Sequence, residues 1–303
     1  MAAYDVDPVP STSNKHLGWQ TAGAGLVGLP WDSVNWSCAY DSVLTVLWNL
    51  FSDSPPEWSQ NLAPGNELMA FVRSAFTTIT APAVQLVTFR EQFRDLLHAL
   101  APVRFPRFGQ EMTAVADILS MLLLSAVPFG NSSSVCPECA TSSDVSIDAC
   151  ASYMWTVPSA CWSAYCSGKA SVSASEYIAA LLDGCFTRPC LTCRAECHIR
   201  TTLFFPPPMI VIDAAGGSVS PQDQVMLTVT GQPYLMRLRG VIYHGANHFT
   251  ARFLDHAGVV WYHDGASQTT GCVREERSVR GELPMETARS RGACHYIYVP
   301  SGN

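Results

Sequence analysis

Apolar positions in the first half of the chain recur at helical intervals. In NWSCAYDSVLTVLWNLF, which begins at Asn35, apolar residues repeat every three or four positions, the pattern of an amphipathic helix. The same period predicts helices over 65–79, 83–100 and 109–127, with prolines between them where helices should stop. The apolar run 121–130 is too short to cross a bilayer and predicts the end of a core helix.

Further along the chain the period changes to two. Strands joined by Gly, Pro and Asn turns are predicted over 209–215, 225–230, 234–244, 248–255, 259–265 and 295–301. Between the two halves, residues 131–200 hold most of the cysteines and one helical insert, 173–184. Helices first and an antiparallel sheet later predict an α+β fold. We expect a flexible arm over residues 1–18, rich in Pro, Ser and Asn, and a folded domain over 19–303.

Composition excludes several classes of protein. Hydrophobic residues make up 48 % and charged residues 14 %, which excludes a disordered chain. The net charge is −7 and Lys and Arg do not cluster, so we expect neither a nucleic acid nor a membrane as partner. The N-terminus lacks the basic and apolar regions of a signal peptide. We therefore expect an intracellular protein, in the cytoplasm or nucleus, whose twelve cysteines stay reduced unless they bind metal or act in catalysis.

Two Cys-x-x-Cys pairs predict a structural zinc site. Cys136 and Cys139 form CPEC, and Cys190 and Cys193 form CLTC. Two such turns supply the four thiolates of a tetrahedral zinc shell, although the long gap between them leaves redox or unrelated cysteines as the alternative. The other candidates for a second site or a replacement ligand, which we expect to be buried or free, are Cys150, Cys161, Cys166, Cys185, Cys197 and His198.

Cys38 stands where the first helix is predicted to begin. Ser37 and Asp41 supply the polar groups that helix N-termini favour. On the first turn, unpaired backbone N–H groups and the helix dipole favour a thiolate over a thiol. The alternative is a small buried hydrophobic residue that happens to begin a helix.

A thiolate nucleophile needs an imidazole and a group that orients it. His248 begins one predicted strand and Asp264 ends the next, with a turn around 256–258 between them. A hairpin there would bring the two residues side by side. On spacing alone His244, His256 and His263 stay in competition, and Asp255 lies just before the turn.

These residues and their flanks resemble the ubiquitin-specific protease family of papain-like cysteine peptidases. The family box Asn-x-Gly-Asn-Thr-Cys-Tyr-x-Asn-Ser is matched by Asn35, Ser37, Cys38, Asp41 and Ser42. Its later box, Gly-His-Tyr-x-Ala-Tyr followed by Trp-Tyr-x-Phe-Asp, is similar to NHFTARF and WYHDG. The segments GQEMTAVADILSMLLL and PPPMIVIDAAG resemble a conserved helix and strand of the family, and the Cys pairs fall where the family has its zinc-bearing fingers.

The resemblance implies a fold, an activity and roles. It implies a helical thumb over about 25–130, zinc fingers over about 131–200 and an antiparallel β palm over about 201–303. It implies that Cys38 is the nucleophile, His248 the base and Asp264 the orienting acid. The implied activity is the removal of ubiquitin, or of a ubiquitin-like modifier, from proteins, with zinc in a purely structural role.

Two departures from the family pattern leave alternatives open. The usual place of the oxyanion-hole Asn holds Ser33, with Asp32 and Asn35 on either side, and Asn35 has the amide donor that an oxyanion needs. Asn247 replaces the Gly that precedes the catalytic His in the family, so another C-terminal tail than that of ubiquitin could fit. One alternative is a catalytically inactive, zinc-stabilised binding module for ubiquitin-like proteins. The other is a papain-like processing protease or thiol acyltransferase with a different substrate.

Overall fold

The computed structural model describes residues 26–55, 58, 66–139, 146–156, 166–169, 171–182, 186–214, 218–267, 271–275 and 283–301. The predicted arm over 1–18, together with Cys161 and Cys185, lies outside these residues. Within them the fold is a mixed α+β arrangement, which confirms the predicted fold class at that level. Five α-helices are described: α1 (Cys38–Asp53), α2 (Glu67–Thr78), α3 (Pro82–Leu100), α4 (Val115–Leu122) and α5 (Ala174–Leu182).

Helix α1 is the central helix of the core. The predicted helix is observed and begins at Cys38, but every residue from Cys38 to Phe51 is buried, so α1 is enclosed on all sides rather than on one face. Helices α3 and α4 pack against it, and strands β10 and β11, described below, cover it as well. Its position between helices and sheet explains why polar residues on it, such as Thr45 and Asn49, are buried and bind backbone groups.

Helix α4 is much shorter than the periodicity predicts. The expected helix over 109–127 is observed only as Val115–Leu122. Gly109 has φ +83°, outside the helical region, so the segment before α4 is not helical. After Leu122 the chain becomes extended, because Leu124 forms a β-bridge with Ser152 and the Ser125 N–H bonds the Ala151 carbonyl. Tertiary pairing therefore overrides helix propensity at this point.

Thirteen of the described strands form one large sheet, in which pairing is mostly antiparallel. Its main path runs β13-β12-β11-β10-β9-β6-β1-β2, and β15 also pairs with β10, β7 and β14. The strands are β1 (Gly130–Val135), β2 (Ser146–Cys150), β3 (Met154–Trp155), β4 (Val172–Ser173), β5 (Phe186–Pro189), β6 (Glu196–Leu203), β7 (Ile210–Asp213), β8 (Val219–Ser220), β9 (Gln224–Val229), β10 (Gln232–Gly245), β11 (His248–Leu254), β12 (Val260–His263), β13 (Val273–Glu275), β14 (Thr287–Ala288) and β15 (Arg291–Pro300). Parallel pairs join β3 to β7, β6 to β9 and, in a small separate sheet, β4 to β8.

Strands β10, β11 and β12 form a meander beside α1. Gly245 pairs with His248 across a two-residue turn, and Ala251 pairs with His263 in the next hairpin. In the first turn Ala246 and Asn247 have φ values of +53° and +54°. Asn tolerates this left-handed conformation, so Asn247 fits a place where the resembling family has Gly.

The cysteine-rich stretch also contributes strands that the sequence pattern did not indicate. Strands β1, β2, β5 and β6 extend the sheet, whereas only the helical insert, observed as α5, was predicted. Strand β1 reads GNSSSV and carries no apolar alternation, so its pairing with β6 depends on backbone hydrogen bonds rather than on a hydrophobic face. No helix among the residues described is long and apolar enough to cross a membrane.

Candidate active site and metal centre

Cys38 is the first residue of α1 and only 1 % exposed. The preceding Ser37 is bound on both sides: its hydroxyl donates to Asp41 Oδ2 at 2.6 Å and accepts the Asp32 N–H at 2.8 Å. The start of the helix is therefore fixed by a side-chain network. Burial alone would fit a structural cysteine, so the neighbours of Cys38 decide between the two interpretations.

The loop before Cys38 is organised around Asp32. One carboxylate oxygen accepts the backbone N–H groups of Val34 and Asn35, and the other accepts the Asn35 side-chain amide at 2.9 Å. Asn35 Oδ1 in turn accepts the Gly109 N–H at 3.2 Å. Both ends of the Asn35 carboxamide are thus engaged, with one amide hydrogen remaining. Trp36, two residues before Cys38, has φ +37°, a strained value for a non-glycine residue.

Two buried arginines of α3 hold this loop against α1. Arg90 donates to Asp41 Oδ1 at 2.7 Å and to the Pro30 carbonyl at 2.6 Å. Arg94 donates to the Asn35 carbonyl at 2.6 Å. Because an unpaired buried charge is costly, these contacts fix the loop geometry tightly. Sequence reasoning missed both arginines, since nothing in a helical spacing shows that a charged residue faces inward.

His248 and Asp264 form a hydrogen-bonded pair. His248 Nε2 lies 2.8 Å from Asp264 Oδ1, and the Ala266 N–H donates to the same oxygen at 3.0 Å. The other oxygen is 3.4 Å from the Tyr262 hydroxyl and 3.6 Å from Arg291 Nη1. The β11–β12 hairpin therefore brings the two residues together at the end of the sheet that faces the start of α1.

The pKa values of the pair diverge strongly. Burial would lower the pKa of His248, but hydrogen bonds and charge interactions with Asp264 and Cys38 outweigh it and raise that pKa to about 9. Burial would raise the pKa of Asp264, but the contacts with His248, Ala266 and Arg291 lower it to about 2. An imidazolium beside an ionised carboxylate is the state that these surroundings favour.

Cys38 interacts with His248. The thiol is one of the groups that raise the pKa of His248. The second ring nitrogen of His248, Nδ1, is buried and has no hydrogen-bond partner among the described residues. With Nε2 bound to Asp264, Nδ1 is the nitrogen left to exchange a proton with the thiol.

The competing histidines bind other groups. His263 is buried against the Leu29 carbonyl at 2.8 Å, and burial lowers its pKa. His256 is bound to Asp53 at 2.6 Å, and the His244 ring packs on Phe249. Each has a structural contact that spacing along the chain could not show.

Asp255 also has a structural place. Its Oδ1 accepts the N–H groups of Ala257 and Val259, and its Oδ2 accepts the Trp261 indole N–H. It therefore shapes the β11–β12 turn, while Asp264 is the acid that contacts an imidazole at the start of β11.

The four cysteines of the two Cys-x-x-Cys pairs come together. Their Sγ atoms lie within 4.8 Å of one another, with 3.4 Å between Cys136 and Cys193 and 3.9 Å between Cys139 and Cys190. A tetrahedral zinc site with bonds of about 2.3 Å separates its sulfurs by roughly 3.8 Å, so the donor set fits. Backbone N–H groups also point at the sulfurs: that of Cys139 lowers the pKa of Cys136, and those of Cys193 and Thr192 lower the pKa of Cys190 to about 6.

The remaining cysteines divide between two surroundings. Cys197 is buried against Cys136 and Cys190 in a small cluster of its own, separate from the main core. Cys150 and Cys166 pack on the main core, and His198 is exposed on β6. No cysteine in the described part of the chain forms a disulfide.

Comparison with known proteins supports the fold. No family model matches the sequence, and no curated protein matches it. A solved SAGA DUB module of Ubp8, Sgf11, Sus1 and Sgf73 bound to monoubiquitin is similar at a TM-score of 0.53 and 12 % identity, over 92 % of this chain and 70 % of that one. Another Ubp8–Sgf11–Sgf73–Sus1 SAGA DUB module gives a TM-score of 0.50 at 12 % identity, over 92 % and 68 %. A third, with a shortened Sgf11, gives 0.50 at 13 % identity, over 98 % and 71 %.

At such low identity the likeness concerns the fold alone. The chain has a mixed α+β fold similar to that of the ubiquitin-specific protease Ubp8, together with a cluster of four cysteines that could hold a metal.

Proposed function

We propose that this protein is a cysteine-dependent isopeptidase of the ubiquitin-specific protease type, which removes ubiquitin or a ubiquitin-like modifier from proteins. In this proposal residues 25–130 are the thumb, 131–200 the fingers and 201–303 the palm of a papain-like fold. The observation that carries the proposal is the hydrogen-bonded His248–Asp264 pair beside Cys38 at the start of α1. The similarity of the fold to Ubp8, solved with monoubiquitin, supports the substrate class.

Cys38 acts as the nucleophile. Proton transfer from its thiol to His248 Nδ1 gives a thiolate and an imidazolium, which Asp264 holds in place through Nε2. The thiolate attacks the carbonyl carbon of the modifier's C-terminal Gly and forms a tetrahedral intermediate. The first turn of α1 and the raised pKa of His248 both favour this ion pair at neutral pH.

His248 then acts as an acid and again as a base. The imidazolium protonates the departing lysine amine, so the C–N bond breaks and a thioester to Cys38 remains. Water, deprotonated by His248, attacks the thioester and releases the modifier with a free carboxylate. The thiol of Cys38 regains its proton, which closes the cycle.

The oxyanion is stabilised by donors at the helix start. The backbone N–H of Cys38 and the remaining amide hydrogen of Asn35 are the donors we assign to it. Asp32 fixes the Asn35 carboxamide through its other amide hydrogen at 2.9 Å. Ser33, in the place of the family's Asn, is exposed and takes no assigned role.

We assign a structural zinc ion to Cys136, Cys139, Cys190 and Cys193. It would hold the two Cys-x-x-Cys turns together and supply no chemistry to the reaction. The small cluster around these cysteines has little apolar surface of its own, so a metal would supply the stabilisation that a core supplies elsewhere.

One observation favours the inactive alternative. The amide of Asn35 is engaged by Asp32 and Gly109, which leaves less freedom to follow a developing oxyanion. A binding module with the same fold would have no use for the Cys38–His248–Asp264 arrangement. We therefore keep catalysis as the proposal.

Activity-based probes test the proposal directly. Ubiquitin and a panel of ubiquitin-like proteins, each ending in a thiol-reactive group, are incubated with the protein, and adducts are counted by intact mass. We expect one modifier per chain in the wild type and no adduct in Cys38→Ala or His248→Ala. We expect normal labelling in Cys272→Ser, whose thiol is half-buried and has a pKa raised to about 12 by burial.

The alternatives give different outcomes in the same assay. A wild-type protein that binds a modifier but forms no adduct would establish the inactive binding module. A protein that neither binds nor reacts with any probe, while its Cys38 is alkylated selectively, would point to a processing protease or acyltransferase with another substrate.

A further inference from the structure

The segment Val27–Trp31 precedes Asp32 and contacts two parts of the candidate active site. One is α1, which carries Cys38, and the other is the hairpin that carries His248 and Asp264. On the helical side, Asn49 donates to the Val27 carbonyl at 3.0 Å and Leu29 N–H donates to Thr45 Oγ1 at 3.1 Å, so the segment lies along α1. These contacts involve the backbone of the segment. Because backbone groups make these contacts, the amino-acid sequence of the segment does not reveal them.

The same segment lies against the hairpin that carries the acid. The Trp31 N–H donates to the Gly265 carbonyl at 3.2 Å, and His263 Nε2 lies 2.8 Å from the Leu29 carbonyl. Val27 forms a β-bridge with Gly271 next to the same edge. Val27–Trp31 therefore connects the helix that carries the thiol to the loop that carries Asp264.

Two glycines make this close contact possible. A Cβ on Gly265 would lie 2.7 Å from the Leu29 carbonyl oxygen and 2.8 Å from the Trp31 nitrogen. A Cβ on Gly28 would lie 2.2 Å from His263 Nδ1. Since real Cβ atoms do not approach so closely, any larger residue would force the segment away from the hairpin.

Trp31 contacts the imidazole of His248. Its ring meets the His248 ring edge to face, with centroids 5.2 Å apart and planes inclined by 62°. The Trp31 indole N–H is buried without a hydrogen-bond partner among the described residues, so the ring is held by packing and not by its polar atom. Asp264 holds the imidazole at Nε2, and Trp31 contacts its ring.

We propose that Trp31 is a positioning residue that sets the orientation of the His248 imidazole relative to Cys38. In the same proposal, Val27–Trp31 holds α1, which carries Cys38, in place against the hairpin that carries His248 and Asp264. This inference rests on the proposed function, because it assigns Trp31 a role in that reaction. The ring contact restricts rotation of the imidazole about its bond to Cβ, and so keeps Nδ1 directed at the thiol while Nε2 stays on Asp264.

The charged and titratable groups around His248 define the pH signal to expect. Asp264 and Cys38 face His248 directly, and His263, the last residue of β12, directly precedes Asp264. Tyr262 and Arg291 act on it through Asp264. Without the ring of Trp31 the imidazole can turn away from Asp264 and Cys38, so the imidazolium would be lost at a lower pH.

The test compares Trp31→Ala with Trp31→Phe, which keeps a ring but removes the indole N–H. One readout is the rate of iodoacetamide alkylation of Cys38 against pH, followed by mass spectrometry of the Cys38 peptide, which needs no modifier. The other is kcat and KM on a modifier with a fluorogenic C-terminal amide. Trp261→Phe is the matched control, since Trp261 lies on β12 but binds Asp255.

We expect Trp31→Ala to lower kcat roughly 100-fold with little change in KM, because a misplacement of about 1 Å costs that much. We expect the alkaline limb of its kcat/KM profile to move to lower pH. We expect alkylation of its Cys38 to slow at mildly acidic pH, because the thiol stays ionised there only beside an imidazolium. Trp31→Phe should stay within about threefold of the wild type, because an aromatic ring still restrains the imidazole. Trp261→Phe should leave both pH profiles unchanged.

Other outcomes separate this inference from the proposed function. A wild-type pH profile in folded Trp31→Ala overturns the inference, and so does a Trp31→Phe profile as altered as that of Trp31→Ala, since the ring contact would then not matter. If Trp31→Ala fails to fold, Trp31→Leu is measured in the same way, with the same result expected. If no modifier probe reacts but Trp31→Ala still shifts the alkylation profile of Cys38, the proposed function fails and the positioning role stands.

Discussion

The molecule uses cysteines in two regions with opposite surroundings. Cys38 lies in the main core, beside an imidazole and on the first turn of a helix enclosed on all sides. Cys136, Cys139, Cys190 and Cys193 converge on one another at the far end of the sheet, with hardly any apolar packing beyond Cys197 and Ala195.

The difference shows that the neighbours of a thiol decide its use. A single thiol held near an imidazole can exchange a proton, and four thiols within bonding distance of one point favour a metal. The means of assembly differ as well. Two local turns present the four candidate metal ligands. The Cys38 site is instead assembled from residues in both halves of the chain, which Val27–Trp31 connects.

The largest expected effect is at Cys38. Cys38→Ala should reduce hydrolysis of a modifier amide by roughly 10⁴-fold or more, because no other group can form the thioester. Turnover of the fluorogenic modifier is the measurement. Cys150→Ser is the control in the same core, and an equal loss in that variant would mean that burial of a thiol, and not its chemistry, is what matters.

Asp264→Asn should slow turnover by about 10³–10⁴-fold without loss of fold, since an amide can stabilise the wrong tautomer of His248. Steady-state kinetics together with circular dichroism measure the effect. Asp255→Asn should alter the β11–β12 turn and cost stability, but leave turnover within about tenfold. The reverse order of damage would transfer the orienting role to Asp255.

The metal site should affect stability and leave the chemistry intact. We expect one zinc per chain by metal analysis, lost in a Cys136→Ser and Cys139→Ser double variant. Since metal binding at such a site is also folding free energy, chelation should lower Tm by about 5 °C or more and expose the chain around the four cysteines to proteolysis. Zinc at full occupancy in the double variant would reassign the ligands, and Cys197 would be the first candidate.

The buried ion pair between Asp41 and Arg90 should contribute more to the free energy of unfolding than ion pairs on the surface. Asp41→Ala should destabilise the fold by about 3–5 kcal/mol, because it leaves Arg90 buried without its partner. Asp117→Ala, which breaks a half-exposed pair with Arg104, should cost no more than about 1 kcal/mol. Urea unfolding measures the free energy of unfolding of both variants. Equal decreases would show that the buried Asp41–Arg90 pair stabilises the fold no more than the half-exposed one.

The smallest effect is in the pH profile. His248 has a pKa raised from 6.5 to about 9, so its imidazolium is complete below pH 6.5, persists above it and is lost as pH rises through about 9. We expect kcat/KM to fall along an alkaline limb near pH 9. Asp264→Asn should move that limb to lower pH, because it removes the main group that favours the imidazolium. A limb that stays in place in this variant would assign it to another group.

Some elements could be predicted from the sequence because their signals are local. The strands β10, β11 and β12 follow a two-residue period with turn residues between them, and the helices α2 and α3 end at the positions that prolines and caps indicate. The two Cys-x-x-Cys turns are local as well. The prediction was wrong at α4, where pairing of Leu124 with Ser152 ends the helix early.

Other features could not be predicted because their causes are distant in sequence. Strands β1, β2, β5 and β6 join the sheet through backbone pairing that leaves no apolar pattern. The inward direction of Arg90 and Arg94 depends on carboxylates and carbonyls in the Asp32 loop and α1.

The sequence by itself determined the α+β class, the hairpin that carries His248 and Asp264, and the candidate chemistry of Cys38. These depend on residue type and on spacings within a few positions. Only the tertiary structure decided that α1 is buried on all sides, which histidine is next to Cys38, and that Trp31 packs on that histidine. The physical reason is that burial, pKa and orientation are set by groups that approach through space, and a linear pattern does not encode such approaches.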